Sequence, residues 1–520
     1  MISLTRPVVA AAIVAVASTS IAFAAPIARY GGMPIYQTRT LMRYTHTPPR
    51  PPAPRHQITM ADILRARAAG WQKVAHRAPF GTNGAGTALL MTDGTVMVQD
   101  NTSNWYRLAP DINGNYAHGT WTKMASLPSN YGPLYFASAV LADGKLVING
   151  GEYNFFHGAE TNMGAIYDPL ANAWTPVAPP IGWSEIGDAS SVVLSDGTYM
   201  LGNCCLSAQA LLNENTLGWT ATGMGKADGN SEEGWTLLPS GKVLTVDVGG
   251  FPNSELYDPN TGSWSSAGLV PINLINQFEI GPQVLRPDGT VFVAGASQHT
   301  AIYNTRNGHW SVGPDYPVVA GQQLDDTDGP ATLLTDGSVL LATSPGVYVP
   351  PASFLIFDGT QFTVIPGPPN AANDASFNVR LLMLPTGQVL ETDGSNDVEI
   401  YNTGVRPLHR IAPTITSVPT TLTHGNTYTI AGTLFNGVSQ ANAYGDDAQE
   451  ATNYPIVRIT NMTTGHVFYA RTHDHSFMGV ASPATVSTMF DVPASIELGA
   501  SALEVIANGI HSHPVSVTIN

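Results

Sequence analysis

The sequence has little charge, and basic residues are scarcest. Only 12% of its 520 residues are charged, and 22 Lys and Arg stand against 38 Asp and Glu, which gives a net charge of −16. A nucleic-acid partner is not expected, because binding to phosphates needs clustered Lys and Arg. Hydrophobic residues make up 43%, enough for a large core. With 51 Gly and 39 Pro, the composition predicts many short elements joined by turns.

Cysteine is almost absent, since the chain has only the adjacent pair Cys204 and Cys205. Neighbouring cysteines cannot join distant segments, so a disulfide framework is excluded. Three interpretations of the pair stay open: two small buried residues, a disulfide between neighbours, or metal or redox use. The chain also lacks a phosphate-binding glycine loop, a G-x-S-x-G elbow, zinc-type cysteine spacing and an HExxH motif.

Long apolar runs are missing as well, so no transmembrane segment is expected; about 20 apolar residues are needed to cross a bilayer. The first residues instead resemble an export signal. Arg6 precedes an apolar run over residues 8–17, and Ala22-Phe23-Ala24 is a small-residue cleavage pattern. The sequence therefore predicts a signal peptide over residues 1–24 and a secreted or periplasmic protein.

The segment that follows the signal is dominated by proline. Residues 25–60 are rich in Pro, Arg and Thr, which predicts an extended, poorly packed leader. The sequence MADILRARAAG over residues 60–70 predicts one short helix that ends at Gly70.

Over residues 61–410 the chain repeats one unit seven times. Each unit has a hydrophobic run, a turn that ends in glycine, and a second hydrophobic run. The turn glycines follow one another at spacings of 44 to 53 residues: Gly94, Gly144, Gly197, Gly241, Gly289, Gly337 and Gly387. A turn of the Asp-Gly type between two β-rich runs is a strong hairpin signal. A period near 50 residues is typical of the blades of a kelch-type propeller.

An aromatic residue marks the end of most units in the same phase. The markers are Trp121, Trp174, Trp219, Trp264, Trp310 and, in the sixth place, Phe362. The seventh unit has none, but Trp71 lies 50 residues before Trp121 in a matching context. A strand near Trp71 is therefore predicted to complete the last blade and close the ring. The predicted fold class is all-β, with a seven-bladed kelch-type β-propeller.

After Arg410 the repeat stops and a different pattern begins. Residues 411–520 hold short alternating apolar runs with turn residues between them, and no helical period. About 110 residues of this kind are typical of an immunoglobulin-like β-sandwich, which is the prediction for the C-terminal domain.

The loops that lead into the innermost strands of a propeller meet at one mouth of its channel, and here they are acidic. The candidate ligand-binding residues are Glu185, Asp188, Glu232, Glu233, Glu279, Asp325, Asp328, Asp374, Asn378 and Tyr135. Carboxylates held together raise one another's pKa unless a cation joins them. A metal ion, a cationic ligand or an inserted basic side chain could do so. Alternatively, several of these side chains only accept hydrogen bonds from loop backbone.

Two histidines form a further candidate metal site. His473 and His475 flank Asp474, and an extended loop would point both rings to the same side. We consider them, together with Asp188, as candidate metal ligands; a solvated loop is the alternative. Because the other candidate ligands are oxygens, calcium or magnesium is the favoured cation and copper is not expected.

A secreted kelch propeller followed by a sandwich resembles the galactose oxidase and glyoxal oxidase family. The segment from Tyr444 to Gly479 also resembles the C-terminal domain of related bacterial kelch-motif proteins of unassigned activity. The resemblance implies copper-radical oxidation of primary alcohols or aldehydes, with copper held by two tyrosines and two histidines and with one tyrosine crosslinked to a cysteine.

The residues of this chain depart from that ligand set. Counting back from the turn glycines places Ala137, beside Phe136, at the crosslinking cysteine and Asp188 at its tyrosine. Phe377 and Asn378 fall at the family's Tyr-His pair. Only the sandwich histidine has a counterpart, His475 or His473. Copper-radical chemistry is therefore the least favoured hypothesis.

Two functional hypotheses follow from the acidic mouth. The first is an exported, monomeric binding module that takes a carbohydrate or a cationic small molecule, with a calcium or magnesium ion as a possible cofactor. The second is a glycan-active hydrolase or lyase, in which Glu185 with Asp188, or Glu232 with Asp328, supplies the acid and the base.

Overall fold

The computed structural model describes residues 26–30, 33–36, 70–444 and 450–520. The predicted signal peptide, most of the proline-rich leader and nearly all of the predicted helix over residues 60–70 lie outside these ranges. Two leader strands, Pro26–Tyr30 and Met33–Tyr36, pair in an antiparallel hairpin. Across the described ranges, no helix is both long and apolar enough to cross a membrane.

Seven antiparallel sheets, here sheets 1 to 7, follow one another along residues 70–402. Each begins with a buried inner strand, and the outer strand is largely exposed in every sheet except sheet 6, where Phe362 and Ile365 are buried. Sheet 1 contains Ala88–Leu90, Val96–Gln99, Trp105–Ala109 and Thr120–Lys123, and sheet 2 contains Ala137–Val140, Leu146–Asn149, Gly164–Asp168 and Ala173–Val177. Sheet 3 contains Ser191–Val193, Tyr199–Gly202, Gln209–Asn213 and Gly218–Thr222, and sheet 4 contains Thr236–Leu237, Val243–Val246, Asn253–Asp258 and Ser263–Leu269. Sheet 5 contains Gln283–Leu285, Thr290–Ala294, Thr300–Asn304 and His309–Val312, and sheet 6 contains Pro330–Leu333, Val339–Thr343, Ser353–Phe357 and Phe362–Ile365. Sheet 7 contains Arg380–Met383, Val389–Thr392, Glu399–Asn402 and Gly70–Lys73.

Smaller elements lie in the loops within these sheets, between them and after sheet 7. Pro133–Leu134, Tyr153–Asn154 and His157–Gly158 form a three-stranded sheet, and Val318–Val319 pairs with Gln322–Gln323. Within the described ranges, short 3₁₀ helices are formed by Tyr116–His118, Ser376–Asn378 and His409–Ile411.

The repeated glycines and tryptophans have clear structural roles. All seven turn glycines lie in the left-handed region, with φ between 74° and 92°, where a side chain would be strained. Four marker tryptophans donate their indole N–H to a carbonyl in the loop that leaves the preceding sheet. These pairs are Trp71 to Pro366 at 2.7 Å, Trp121 to His76 at 3.1 Å, Trp174 to Ala125 at 3.0 Å and Trp219 to Ala178 at 2.7 Å.

The two ends of the repeat meet. Gly70–Lys73 pairs antiparallel with Glu399–Asn402, with Trp71 opposite Tyr401. The inner strand of sheet 7, Arg380–Met383, also contacts the inner strand of sheet 1, Ala88–Leu90. The N-terminal strand therefore belongs to the last sheet, and the sheets close on themselves.

The C-terminal strands build a separate core. They are Thr414–Ser417, Thr421–Leu422, Thr427–Thr433, Ile456–Asn461, Val467–His473, Val486–Asp491, Gly499–Ala507, Ile510–His511 and Val515–Ile519. Val467–His473 pairs with Ile456–Asn461 along most of its length and with Val486–Asp491 at its end, so it joins two groups of strands. Buried side chains from both groups, among them Ile430, Val457 and Phe490, pack together.

This C-terminal unit lies against the turn-glycine end of the sheets. Its backbone N–H groups of Thr472, His475 and Met478 donate to carbonyls in the turns of sheets 1, 2 and 3, at 3.2, 3.0 and 2.9 Å. The predicted mouth, where the loops enter the inner strands, is therefore the opposite end of the channel.

One segment of the C-terminal unit enters the channel. Its strand Asn442–Tyr444 pairs with the inner strand of sheet 6, Pro330–Leu333. Side chains of the same segment accept hydrogen bonds from N–H groups on the edge of the inner strands that is not paired with another strand. These are Gln440 from Leu237 at 2.7 Å, Asn442 from Met383 at 3.0 Å and Glu450 from Ala88 at 3.1 Å. The segment thereby satisfies polar backbone that would otherwise be buried without partners.

Candidate functional site

The mouth of the channel is built from residues just before the inner strands. Asp188, Glu232, Glu279, Asp328 and Asn378 occupy this position in sheets 3 to 7, and all five are buried. Tyr135 takes the same place in sheet 2 and is half-buried. Because inner strands in a propeller run the same way, these side chains are brought to one end of the channel. Six of the ten predicted ligand-binding residues are at this mouth.

Three of these carboxylates converge, and we call them the acidic triad: Glu232, Glu279 and Asp328. One oxygen from each lies within 4.8 Å of the others. The phenol of Tyr348 donates to Glu279 Oε1 and lies 3.3 Å from Asp328 Oδ2. A buried set of carboxylate and phenol oxygens suits a hard cation such as calcium.

The backbone around the triad is strained. Five residues at the mouth have positive φ although none is glycine: Tyr135 at 51°, Glu232 at 62°, Phe278 at 71°, Asp328 at 48° and Tyr348 at 59°. Such conformations cost free energy and persist where the surroundings impose them, which is common at binding sites.

A buried arginine supplies positive charge at the mouth. The guanidinium carbon of Arg380 lies 3.5 Å from the ring centre of Tyr444 and 5.6 Å from that of Tyr135. The two tyrosine rings are nearly parallel, with centres 6.4 Å apart. Arg380 Nη1 also donates to the Phe377 carbonyl at 2.8 Å, and that carbonyl accepts from the Tyr444 hydroxyl at 2.7 Å.

Replacing Arg380 with Met should lower the unfolding free energy by about 3 kcal/mol, because it removes a buried cation–π contact and charged hydrogen bonds. Arg380→Lys should recover only part of this loss, since an ammonium cannot stack as a planar guanidinium does. Arg406→Met, at an exposed position, is the control and should change stability by less than about 0.5 kcal/mol. Urea unfolding measures all three; equal stability of the Arg380 and Arg406 variants to Met would contradict the assigned contacts.

The cysteines form a disulfide beside the loop that carries Asp188. Of the three interpretations open at the sequence level, the structure has the bond between neighbours, Cys204–Cys205. Cys204 Sγ lies 3.6 Å from Glu160 Oε2. The Cys204 N–H donates to the Ile186 carbonyl at 3.0 Å, so the pair holds the entry to Asp188 in place.

Glu233 points away from the acidic triad and into a pocket that already holds a cation. The ammonium of Lys226 lies 3.0 Å from Glu233, 2.5 Å from Asp228, 2.8 Å from Glu255 and 3.6 Å from Asp247. We call this group the Lys226 pocket. Burial lowers the pKa of Lys226, but the carboxylates of Glu233, Asp247 and Asp228 outweigh it and raise that pKa above its usual range. Burial raises the pKa of Asp247 to about 7.

Two further predicted residues lie in loops outside the triad. Asp325 accepts from the Thr327 hydroxyl at 3.1 Å, and burial raises its pKa to about 7. Asp374 accepts from Asn370 Nδ2 at 3.2 Å; burial, with the Asp393 carboxylate close by, raises its pKa to about 9. Glu185 is only half-buried, and its backbone carbonyl accepts from Asn203 Nδ2 at 2.7 Å.

The structure does not bring His473 and His475 together with Asp188. His473 ends the strand Val467–His473 and His475 follows it, both at the turn-glycine end, whereas Asp188 precedes the inner strand of sheet 3 at the mouth. His473 contacts Asp474 at 2.8 Å and Asp491 at 3.2 Å. His475 lies 2.8 Å from the Thr488 hydroxyl, and burial lowers its pKa to about 3. Asp474, between the two histidines, has a left-handed backbone with φ 50°, so the segment is not the extended loop that was predicted, and each ring contacts the strand Val486–Asp491 instead.

Sequence reasoning missed Lys226, Tyr348 and Arg380. Lys226 follows Gly225 in a loop, and Arg380 begins a hydrophobic strand, so neither belongs to a motif. The one signal was that a buried acidic cluster needs positive charge, which pointed to the sparse Lys and Arg of the chain.

Comparisons with known proteins agree with the sheet topology. The chain is similar to kelch-like protein terF of Aspergillus terreus (strain NIH 2624 / FGSC A1156), with 29% identity over 127 residues, 24% of this chain and 26% of that protein. It is similar to Kelch-like protein 23 of Homo sapiens, with 24% identity over 173 residues, 32% of this chain and 29% of that protein. The fold is a kelch-type propeller. These matches span less than a third of either relative, and no protein-family model matches the chain.

Similarity to solved structures extends further along the chain at low identity. A fungal alcohol oxidase of the AA5 family in complex with copper covers 87% of this chain and 94% of its own, with 15% identity and a TM-score of 0.42. A virginiamycin B lyase from Staphylococcus aureus with quinupristin covers 64% and 99%, with 8% identity and a TM-score of 0.49. At TM-scores below 0.5, neither likeness bears on the activity of this chain.

Proposed function

We propose that this protein is an exported, monomeric, seven-bladed propeller with an immunoglobulin-like C-terminal unit, and that it binds a glycan at the acidic mouth through a hard divalent cation. The observation that carries the proposal is the convergence of Glu232, Glu279 and Asp328 within 4.8 Å. Three buried carboxylates at this spacing are the oxygen donors that a hard divalent cation takes.

The surroundings of the triad fit a sugar ligand. Calcium accepts six to eight oxygen ligands, so three carboxylates leave positions for the hydroxyl groups of a sugar. The rings of Tyr135 and Tyr348 lie beside the triad in a shared aromatic cluster with Phe377. Aromatic faces of this kind suit the apolar face of a sugar ring, while Arg380 would favour an acidic sugar.

Copper does not fit these residues. Phe377 takes a position where the family resemblance requires a tyrosine ligand, and its ring packs 5.2 Å from that of Tyr348. Both cysteines are bonded to each other, so neither is available for a crosslink to tyrosine. Oxygen donors of the triad favour calcium or magnesium instead.

A glycan-active hydrolase is the second candidate function. Glu232 and Asp328 offer oxygens within 4.8 Å of one another, near the roughly 5 Å separation of retaining glycosidases. Release of reducing sugar from a glycan bound at the mouth, lost in both Glu232→Gln and Asp328→Asn, would favour it over simple binding.

Calorimetric titration of chelator-treated protein with calcium tests the binding proposal. Glu279→Gln should weaken calcium binding at the mouth by at least about tenfold, because a neutral amide replaces one of three charged ligands. Glu185→Gln is the matched control at the same rim and should bind as the wild type does. A glycan array with and without chelator then identifies the sugar. Unchanged calcium affinity of Glu279→Gln, or glycan binding that chelator does not affect, would overturn the proposal.

A further inference from the structure

A second group of buried carboxyl groups lies between sheets 6 and 7, apart from the acidic triad. We call it the sheet-7 pocket: Asn370, Asp374, Glu391, Asp393 and Glu399. Glu391 and Glu399 are directly opposite each other on neighbouring strands. Asn370 Nδ2 donates to Asp374 at 3.2 Å and to Asp393 at 2.9 Å, which ties the loops of two sheets together. All four acidic residues are at least 94% buried.

The pocket has too few partners for its charge. Among the described residues, no N–H or hydroxyl group donates to either carboxyl oxygen of Glu391 or of Glu399, or to Oδ2 of Asp374; these groups lie within hydrogen-bond reach only of one another and of Asp393. Lys73 lies opposite Glu399 in the sheet, but its side chain is 56% exposed and its ammonium pairs with Asp397. A fully buried carboxyl group without a partner is rare and requires an explanation.

The repeat itself supplies that explanation, because the Lys226 pocket occupies the equivalent place in sheet 4. There, Asp247 follows the second strand and Glu255 stands on the third strand, two residues before Tyr257. Lys226 reaches them from the loop that leaves sheet 3, and its ammonium contacts four carboxylates.

Sheet 7 repeats the acidic part of this arrangement without the lysine. Asp393 follows the second strand, and Glu399 stands on the third strand, two residues before Tyr401. The loop that leaves sheet 6 contributes Asn370 where the loop that leaves sheet 3 contributes Lys226. Asn370 keeps a contact with the aspartate after the second strand but brings no positive charge.

We propose that the sheet-7 pocket binds a hard divalent cation, calcium in the first instance, which replaces the ammonium found in sheet 4. Carboxylate oxygens, of which this pocket has four pairs, are ligands that calcium takes. In the described residues no three of these carboxyl oxygens yet lie within 4.8 Å of one another, so binding draws the side chains inward. The ion would join sheets 6 and 7 beside the N-terminal strand that closes the ring.

The test is calcium titration of the full chain after chelator treatment, followed by calorimetry and thermal unfolding at pH 8. The wild type should bind two calcium ions, one in the acidic triad and one in the sheet-7 pocket, and its melting temperature should rise by several degrees. Glu391→Gln should lose one equivalent and keep the other, whereas Glu279→Gln should lose the other one. The two sites are therefore distinguished even if the proposed function is wrong.

A gain of charge provides the second variant. Asn370→Lys places an ammonium where Lys226 lies in sheet 4, so it should raise the melting temperature in chelator and abolish the response of the pocket to calcium. At pH 5 the calcium effect on the wild type should shrink, because protons compete for Asp374, Glu391, Asp393 and Glu399. The proposal is overturned if Glu391→Gln keeps the calcium stoichiometry of the wild type. It is also overturned if calcium leaves the melting temperature of the wild type unchanged and Glu391→Gln is more stable than the wild type at pH 8. A proton shared by Glu391 and Glu399 would then explain the pocket.

Discussion

Replacing Lys226 with Met should lower the unfolding free energy at pH 7.5 by about 3 to 5 kcal/mol, the usual cost of removing one partner of a buried ion pair. The Lys226 side chain is fully buried and its ammonium is shared by four carboxylates, including Glu233 and Glu255. Without it, these groups must take up protons or remain charged inside the core. Urea unfolding followed by tryptophan fluorescence measures the loss.

The matched control is Lys242→Met in the turn of sheet 4. Lys242 pairs with Asp258 at 3.1 Å, but its side chain is 38% exposed, so the change should cost less than about 1 kcal/mol. At pH 5 the cost of Lys226→Met should shrink, because the carboxyl groups can then be protonated. A Lys226 variant as stable as the Lys242 variant at pH 7.5 would contradict the role given to this ammonium.

The metal-free protein should lose stability as pH rises from about 4 to about 9. Burial raises the folded-state pKa of Asp247, Asp325 and Glu399 to about 7 and that of Asp374 to about 9. Between the unfolded and folded pKa values the folded state holds more protons, so the unfolding free energy falls with rising pH. A shift of three units corresponds to about 4 kcal/mol for one group. Thermal unfolding in chelator from pH 4.5 to pH 9 measures this.

Asp326 offers a variant that isolates the effect. Its carboxyl group is fully buried, and burial raises its pKa well above the usual range. Asp326→Asn should therefore flatten the pH dependence and stabilise the protein at pH 8, while leaving it nearly unchanged at pH 4.5. Asp111→Asn, in a partly exposed turn where the carboxylate accepts backbone hydrogen bonds, is the control and should not stabilise the protein at pH 8. A melting temperature that rises with pH over this range would refute the assignment.

The architecture could be read from the sequence because local chemistry repeats with it. Each turn glycine is needed for a positive φ, and the phase of the tryptophans reflects an indole hydrogen bond to the preceding sheet. For the same reason Trp71 revealed the pairing of the N-terminal strand with Glu399–Asn402. These signals depend on only a few neighbouring residues in each unit, so they survive without knowledge of the three-dimensional structure.

The site could be predicted only in outline. Counting from the turn glycines brought Glu232, Glu279 and Asp328 to one mouth, but it could not separate Glu232 from Glu233. Glu232 and Glu233 point in opposite directions, and the left-handed backbone of Glu232 turns its carboxylate, and not that of Glu233, toward Glu279 and Asp328. The pairing of Glu233 with Lys226 depends on a residue in the loop that leaves the preceding sheet, and no local sequence pattern carries that information.

The central claim is that the acidic triad holds a hard divalent cation, and anomalous diffraction tests it most directly. Crystals of the full chain soaked in manganese, a hard ion with a strong anomalous signal, should give a peak within bonding distance of Glu232, Glu279 and Asp328. Crystals of Glu279→Gln prepared in the same way should lack that peak. The claim is contradicted if the wild type shows no peak at the triad and side chains of the protein itself contact the three carboxylates instead. The mouth is then not a cation site, and the proposed mode of glycan binding is wrong.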